Sequence, residues 1–208
     1  MEYKPGDLFI GVIDFFGILI PGAMFAFLHG EYLLCLVGAQ PPPSGGTFFW
    51  AEFLVGSLLL GHLLVGCSVP LNKLAGLLWQ ESKDKFYEEA AKEISLPVPM
   101  NRRDAFYRAY CFLRIKSQPA VAEIDRQVAD YKLFRSLTAL FFFDIVFVCT
   151  IGAFNYRRLL ISFALMVLAG ARYLFLLNWT QQLTFEYYTL IVGRGKTPAE
   201  IDSDPLGG

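Results

Sequence analysis

The stretch Phe53 to Leu71, FLVGSLLLGHLLVGCSVPL, runs for nineteen residues without an Asp, Glu, Lys or Arg. A helix needs about 20 mostly apolar residues to cross ~30 Å of hydrocarbon. This stretch therefore reads as a transmembrane helix whose only ionisable side chains are His62 and Cys67. Three further stretches have the same character. Leu8 to Leu28 carries Asp14, Leu137 to Phe154 carries Asp144, and Leu159 to Leu177 carries Arg172. The apolar Leu33 to Val37 is too short to span and reads as an extension of the first helix or an interfacial piece.

Composition agrees. Of 208 residues, 55% are hydrophobic and 18% charged, against roughly 45–50% and 25% in soluble domains. A net charge of −1 argues against a protein that coats nucleic acid generally. Cys35, Cys67, Cys111 and Cys149 have no CxxC spacing, so neither a disulfide framework nor a zinc site is indicated, and no metal or other cofactor is expected. The first apolar run is longer than a signal's usual 7–15 residues and contains Asp14, so it reads as a retained span.

Loop charges give an orientation. Residues 30–52 contain no Lys or Arg, whereas Asn72 to Lys132 contains eleven against nine acids. Cations stay on the cytoplasmic side. That places 72–132 and both termini inside, in a bacterial inner membrane, with 30–52 as an outer loop; the pair Arg157–Arg158 dissents. The expected class is an all-α membrane protein with four spans, two of whose helices extend into a small cytoplasmic helical domain. Residues 1–71 hold the first two spans and 72–132 a cytoplasmic helical segment. Residues 133–178 hold the last two spans, and 179–208 a helix extension and tail. Pro119, after Ser117-Gln118, suits the start of one long helix reaching Phe154. The fourth run continues as helix through Trp179, Leu183 and Tyr187 before Gly193 and Gly195. Glu81 to Ile94 reads as another helix, Pro97-Val98-Pro99 as a break, Asn101 as the cap of a helix over Arg102 to Lys116, and Thr197 to Gly208 as a tail. No internal repeat supports a transporter architecture.

Ionisable groups in hydrocarbon need a partner or water. Asp14, His62, Asp144 and Arg172, one per span, admit two readings. One is a structural ion pair of Arg172 with Asp14 or Asp144. The other is the lining of a pore or gate, which makes these four the pore or gate candidates. No nucleophile–base set, metal-ligand spacing or phosphate loop appears, so no catalytic residue is assigned and an enzyme is not expected. Gly17 and Pro21-Gly22 should bend or thin the first helix. Ser57, Gly61 and Gly66 give the second a small-residue edge for packing within the chain or with another copy.

In the Arg102–Lys116 helix, Arg103, Tyr107, Tyr110 and Arg114 fall on one stripe. Arginine forks bind phosphate and tyrosine rings stack on bases, so these four are ligand-binding candidates for a nucleotide or short single-stranded nucleic acid. The other readings are a solvated basic face beside anionic lipids, or tyrosines packing on the long helices.

The run Asp14-Phe15-Phe16-Gly17-Ile18-Leu19-Ile20-Pro21-Gly22 resembles the D-x-x-G-x-x-x-P-G opening of small bacterial membrane proteins that accompany anti-phage defence genes. Tyr107 to Leu137 is also similar: a Tyr-rich basic helix, a Pro, a polar helix, then Phe134-Arg135-Ser136-Leu137 entering the membrane. The resemblance implies an oligomeric effector of the Hailong or Kiwa type. In the Hailong type, a partner nucleotidyltransferase makes a nucleic-acid ligand that holds a channel closed. The expectation is thus a homo-oligomeric, ligand-gated ion channel in the lipid bilayer, acting in abortive infection with a soluble defence partner. The alternatives are a non-conducting membrane-anchored sensor or scaffold that docks a soluble protein and, behind it, a small transporter.

Overall fold

The computed structural model describes residues 5–36, 38, 47–78, 102–150 and 155–195. Among these residues the chain is all-helical. The helices are α1 (Pro5–Leu36), α2 (Thr47–Leu78), α3 (Arg102–Lys116), α4 (Gln118–Thr150) and α5 (Tyr156–Gly195). Four of them contain segments long and apolar enough to cross a membrane: Phe15–Cys35, Phe49–Ala75, Gln118–Thr150 and Tyr156–Val192. The expected helix over Glu81–Ile94, the Pro97–Pro99 break, the Asn101 cap and the Thr197–Gly208 tail lie outside the described residues.

Leu33 to Leu36 continues α1 rather than forming a separate piece. α4 begins at Gln118, one residue ahead of Pro119, and runs 33 residues; α5 runs 40. At 1.5 Å per residue these are roughly 50 and 60 Å long, more than a bilayer core requires. Ser117 separates α3 from α4, its amide donating to the Leu113 carbonyl at 2.7 Å and its carbonyl accepting from Val121 at 3.2 Å. Asn155 starts α5 as an N-cap. Its Oδ1 accepts from the amides of Arg157 and Arg158 at 3.1 and 3.3 Å, groups that would otherwise be orphan donors.

The chain divides into two compact units: Met1–Gln80 with Val128–Leu176, and Glu81–Gln127 with Leu177–Gly208. In the first, α1 and α2 run antiparallel, as do α4 and α5, while α1 and α4 run parallel. α1 and α2 cross with their backbones nearly touching, because a Cβ on Gly22 would collide with the Ser57 carbonyl and one on Gly61 with the Ile18 carbonyl. Small residues permit such an approach where lipid supplies no hydrophobic drive. The edge expected over Ser57, Gly61 and Gly66 is therefore split. Ser57 and Gly61 are buried at the crossing, while Gly66 is exposed with open space around it. Pro21, beside Gly22, is fully buried.

Midway along this unit Leu64, Leu140, Phe141 and Ala169 form a buried cluster, flanked by Met24, Phe25, Leu137 and Met166. Its outer surface is apolar as well; Phe27 is 83% and Leu168 68% exposed. Apolar residues on both sides of a helix are the pattern of a bundle solvated by lipid. In the second unit Ala105 and Ala109 of α3 pack on Phe185 and Tyr188 of α5, with Phe106, Phe112 and Val192 around them. Leu113 and Ile124 are also buried.

Candidate functional site

Two polar layers bound the apolar middle of the first unit. The first forms where α1 and α4 end and α5 begins. Asp144, 1% exposed, receives Arg158 Nη2 on Oδ1 at 2.5 Å and the Ser162 hydroxyl on Oδ2. His29 Nε2 lies 3.1 Å from Asp144 Oδ1, and the ring sits between Phe25 and Phe147 with centroids 4.8 and 4.3 Å away. The His29 ring nitrogens make no aligned hydrogen bond, so His29 packs against Asp144 without one. Beside it opens a cleft of about 460 Å³, lined among others by His29, Glu31, Tyr32, Asn155 and Arg158. Trp50 and Tyr156, at the starts of α2 and α5, are exposed aromatics of the type enriched at membrane interfaces.

The second layer joins α2, α4 and α5 on the far side of the apolar cluster. Arg135, 6% exposed, donates from Nε to Ser68 Oγ at 3.0 Å. The Tyr173 hydroxyl donates to Asn72 Oδ1 at 2.7 Å, and the Tyr131 ring lies 6.3 Å from that of Tyr173. Between the layers, the buried polar side chains Ser57 and Ser136 have no hydrogen-bond partner among the described residues.

The four pore or gate candidates do not meet in one cluster. Asp144 belongs to the first layer, where its cationic partner is Arg158 rather than the expected Arg172. The reason is register: α4 and α5 run antiparallel from a short connection, so position 144 faces 158–162, while 172 faces Phe134. Arg172 is exposed, with its guanidinium 6.0 Å from the Phe134 ring centroid and 5.3 Å from that of Phe175. His62 is exposed on α2, its Nδ1 2.9 Å from the Leu58 carbonyl. Asp14 lies in α1, with its side chain outside the described residues.

His29, Arg158, Ser162 and Arg135 were not among the candidates. His29 lies one residue past the expected end of the first span, and Arg158 counted only as a dissenting loop cation. Its pairing with Asp144 gives that cation a place in the bundle.

On α3, Tyr107 and Arg114 are exposed, whereas the Arg103 side chain lies outside the described residues. Tyr110 is half-buried. Its hydroxyl donates to Asp125 Oδ1 at 2.6 Å and its ring stacks on Phe106 at 6.1 Å. Burial, then the hydrogen bond to Asp125, raises its pKa well above the usual tyrosine value, so the phenol is a fixed neutral donor. Tyr107, edge-on to the Phe106 ring at 5.6 Å, keeps more of its surface exposed than Tyr110 does. Among the described residues no group of three His, Cys, Asp or Glu is placed to hold a metal, and the four cysteines are free and exposed. No protein-family model, curated protein or solved structure matches this chain.

Proposed function

We propose that the chain is a non-enzymatic, homo-oligomeric effector of the bacterial inner membrane that opens an ion path between copies and depolarises the cell during phage infection. Both termini and the α3-bearing unit would be cytoplasmic, the side to which the eleven cations of Asn72–Lys132 point. The observation that carries the reading is the placement of His62. It sits thirteen residues from each end of Phe49–Ala75, at the middle of a span, yet on the outer surface of its own bundle. An ionisable side chain there needs water or a protein neighbour. The bundle's own middle is filled by apolar side chains, so a conducting path is better placed between chains than through one. Arg172, also outward, lies roughly 24 Å along α5 from Tyr156, close to the edge of a ~30 Å core, where it would meet an ion entering or leaving.

Control would come from the α3 stripe. Tyr107 and Arg114, with Arg103 one turn earlier, offer stacking and phosphate-binding groups to a nucleotide or short single-stranded nucleic acid. Such a ligand must bind one packing of the oligomer better than the other. The test is membrane potential in bacteria expressing the chain, before and during phage infection. Wild type should depolarise, Arg172→Leu should not, and Arg103→Ala with Arg114→Ala should be locked in one state. An unchanged potential throughout, with the protein verified in the membrane, overturns the reading.

The mutual pairing of Asp144, Arg158 and His29 favours the second reading, a non-conducting anchored sensor or scaffold. Charges that satisfy one another inside a bundle build a rigid anchor. A stoichiometric soluble partner, with no ion flux under any condition, would establish it.

A further inference from the structure

The second polar layer holds more donors than acceptors. Arg135 carries N–H groups on three nitrogens and places one, on Nε, with Ser68 Oγ at 3.0 Å. Ser68 is itself held, its hydroxyl donating to the Val65 carbonyl at 2.7 Å. One turn further along α2, Asn72 Oδ1 accepts from Tyr173 at 2.7 Å, which leaves the Asn72 amide NH2 over. Neighbours thus fix both donor groups, and neither the Arg135 Nη nitrogens nor Asn72 Nδ2 finds an acceptor among the described residues.

The charges are as one-sided. Asp144 has Arg158, but no carboxylate among the described residues lies within ion-pair reach of Arg135. Over residues 64–78, 130–140 and 166–176, the parts of α2, α4 and α5 around this layer, Lys73, Lys132, Arg135 and Arg172 are set against Asp130 alone. Arg135 is 6% exposed. The side-chain atoms both sealed and unpartnered are those of His29, Ser57 and Ser136, and its Nη nitrogens are not among them. The stem of Arg135 is therefore enclosed while the tip of its guanidinium reaches the surface. Counted from Thr150, the far end of α4, Arg135 lies about 22 Å along the helix, within ~8 Å of the edge of a ~30 Å core.

A cation at that depth needs a counter-charge. Hydrocarbon holds none, whereas the phosphate plane just beyond its edge does. We infer that Arg135 and Asn72, where α2, α4 and α5 meet, bind the phosphate of an acidic phospholipid in the leaflet on the Asn72 side, the cytoplasmic one in the orientation proposed above. The inference rests on that orientation and not on conduction. The guanidinium fork takes two phosphate oxygens, and Asn72 Nδ2 adds a donor on the same side of α2 as Ser68. Exposed Lys73 draws the headgroup in, as basic pockets between spans do on the cytoplasmic side. With cations in excess, a headgroup of net negative charge fits and one bearing an amine does not. The bound phosphate supplies the negative charge that the layer lacks and ties α2 to α4.

The test is native mass spectrometry of the full chain, purified in detergent, with phosphatidylglycerol or phosphatidylcholine added at equal concentration. Wild type should retain phosphatidylglycerol several-fold more than phosphatidylcholine. Arg135→Gln, which keeps a donor for Ser68, should lower that preference several-fold. Arg135→Lys keeps the charge without the fork and should fall between the two. Arg157→Gln, an exposed cation at the start of α5, should leave the preference unchanged. If Arg135→Gln does not fold, Asn72→Ala and exposed Lys73→Gln carry the test, and both should lower the preference. Equal retention of the two lipids, or a preference that survives Arg135→Gln or both outer variants, would overturn the site. Displacement of the lipid by excess inorganic phosphate would make a soluble anion the ligand and overturn the lipid. A phosphatidylglycerol preference in a chain that never depolarises would keep this site and remove the ion path. Depolarisation without the preference would do the reverse.

Discussion

Asp144 and Arg158 meet at 2.5 Å although fourteen positions separate them, and the two side chains differ sharply in exposure, 2% for the acid and 37% for the base. Their pairing ties the end of α4 to the start of α5 across the connection, with His29 of α1 as the third member. Because the acid is the enclosed partner, the two halves of the pair do not carry equal risk.

Removing the base strands the acid. Arg158→Leu should destabilise the first unit by about 3–5 kcal/mol, the range for an uncompensated buried charge. Asp144→Leu should cost less, because Arg158 can swing toward water. The double variant should recover most of the loss, since a buried pair replaced by apolar groups is often close to neutral. Thermal unfolding in detergent micelles, followed by circular dichroism, measures all three. Equal losses in the two single variants would contradict the asymmetry.

The α1–α2 crossing gives a second contrast. Gly22→Ala and Gly61→Ala must push two backbones apart and should each cost about 1–3 kcal/mol or more. Gly56→Ala meets nothing within 4 Å and should gain a few tenths to ~1 kcal/mol from helix propensity. The same melts decide it. A neutral Gly61→Ala would mean the helices do not approach as closely as described.

For the second unit, Tyr110→Phe removes a donor to Asp125 and should cost about 1.5–3 kcal/mol, the range for a hydrogen bond to a charged group. A phenol whose folded pKa is raised stabilises fully below its unfolded value, near 10, and loses that contribution as pH rises through the folded value. Wild type should therefore lose stability above about pH 10 more steeply than Tyr110→Phe does. Parallel pH profiles would show that the phenol is not held as described. The proposed nucleotide binding should survive this substitution and be weakened by Arg114→Ala.

The spans were legible because an apolar run of nineteen residues has few other physical outcomes, and the long helices because no Pro or Gly pair interrupts 120–150 or 159–192. Partners inside the bundle were not legible, since rotation and register come from packing. Asp144 offered no sign that it would take Arg158 over Arg172 until the short α4–α5 connection fixed which levels face each other. His29 was missed by ending the first span at Leu28. One signal was present and overlooked. Gly66 lies five residues from Gly61, about 140° around the helix, so it could never share an edge with Ser57 and Gly61. The α3 stripe was legible as a spacing, but that Tyr110 would turn to Asp125 was not.

The central claim, an ion path formed between copies, is tested most directly by flux from dye-loaded liposomes carrying the purified chain over a range of protein-to-lipid ratios. Extract from phage-infected cells would be present or absent. The account predicts flux in at least one of the two conditions, rising more steeply than in proportion to protein density and lost in Arg172→Leu. No flux at any density in either condition, from protein shown to be folded and inserted, would contradict it and leave the anchored scaffold.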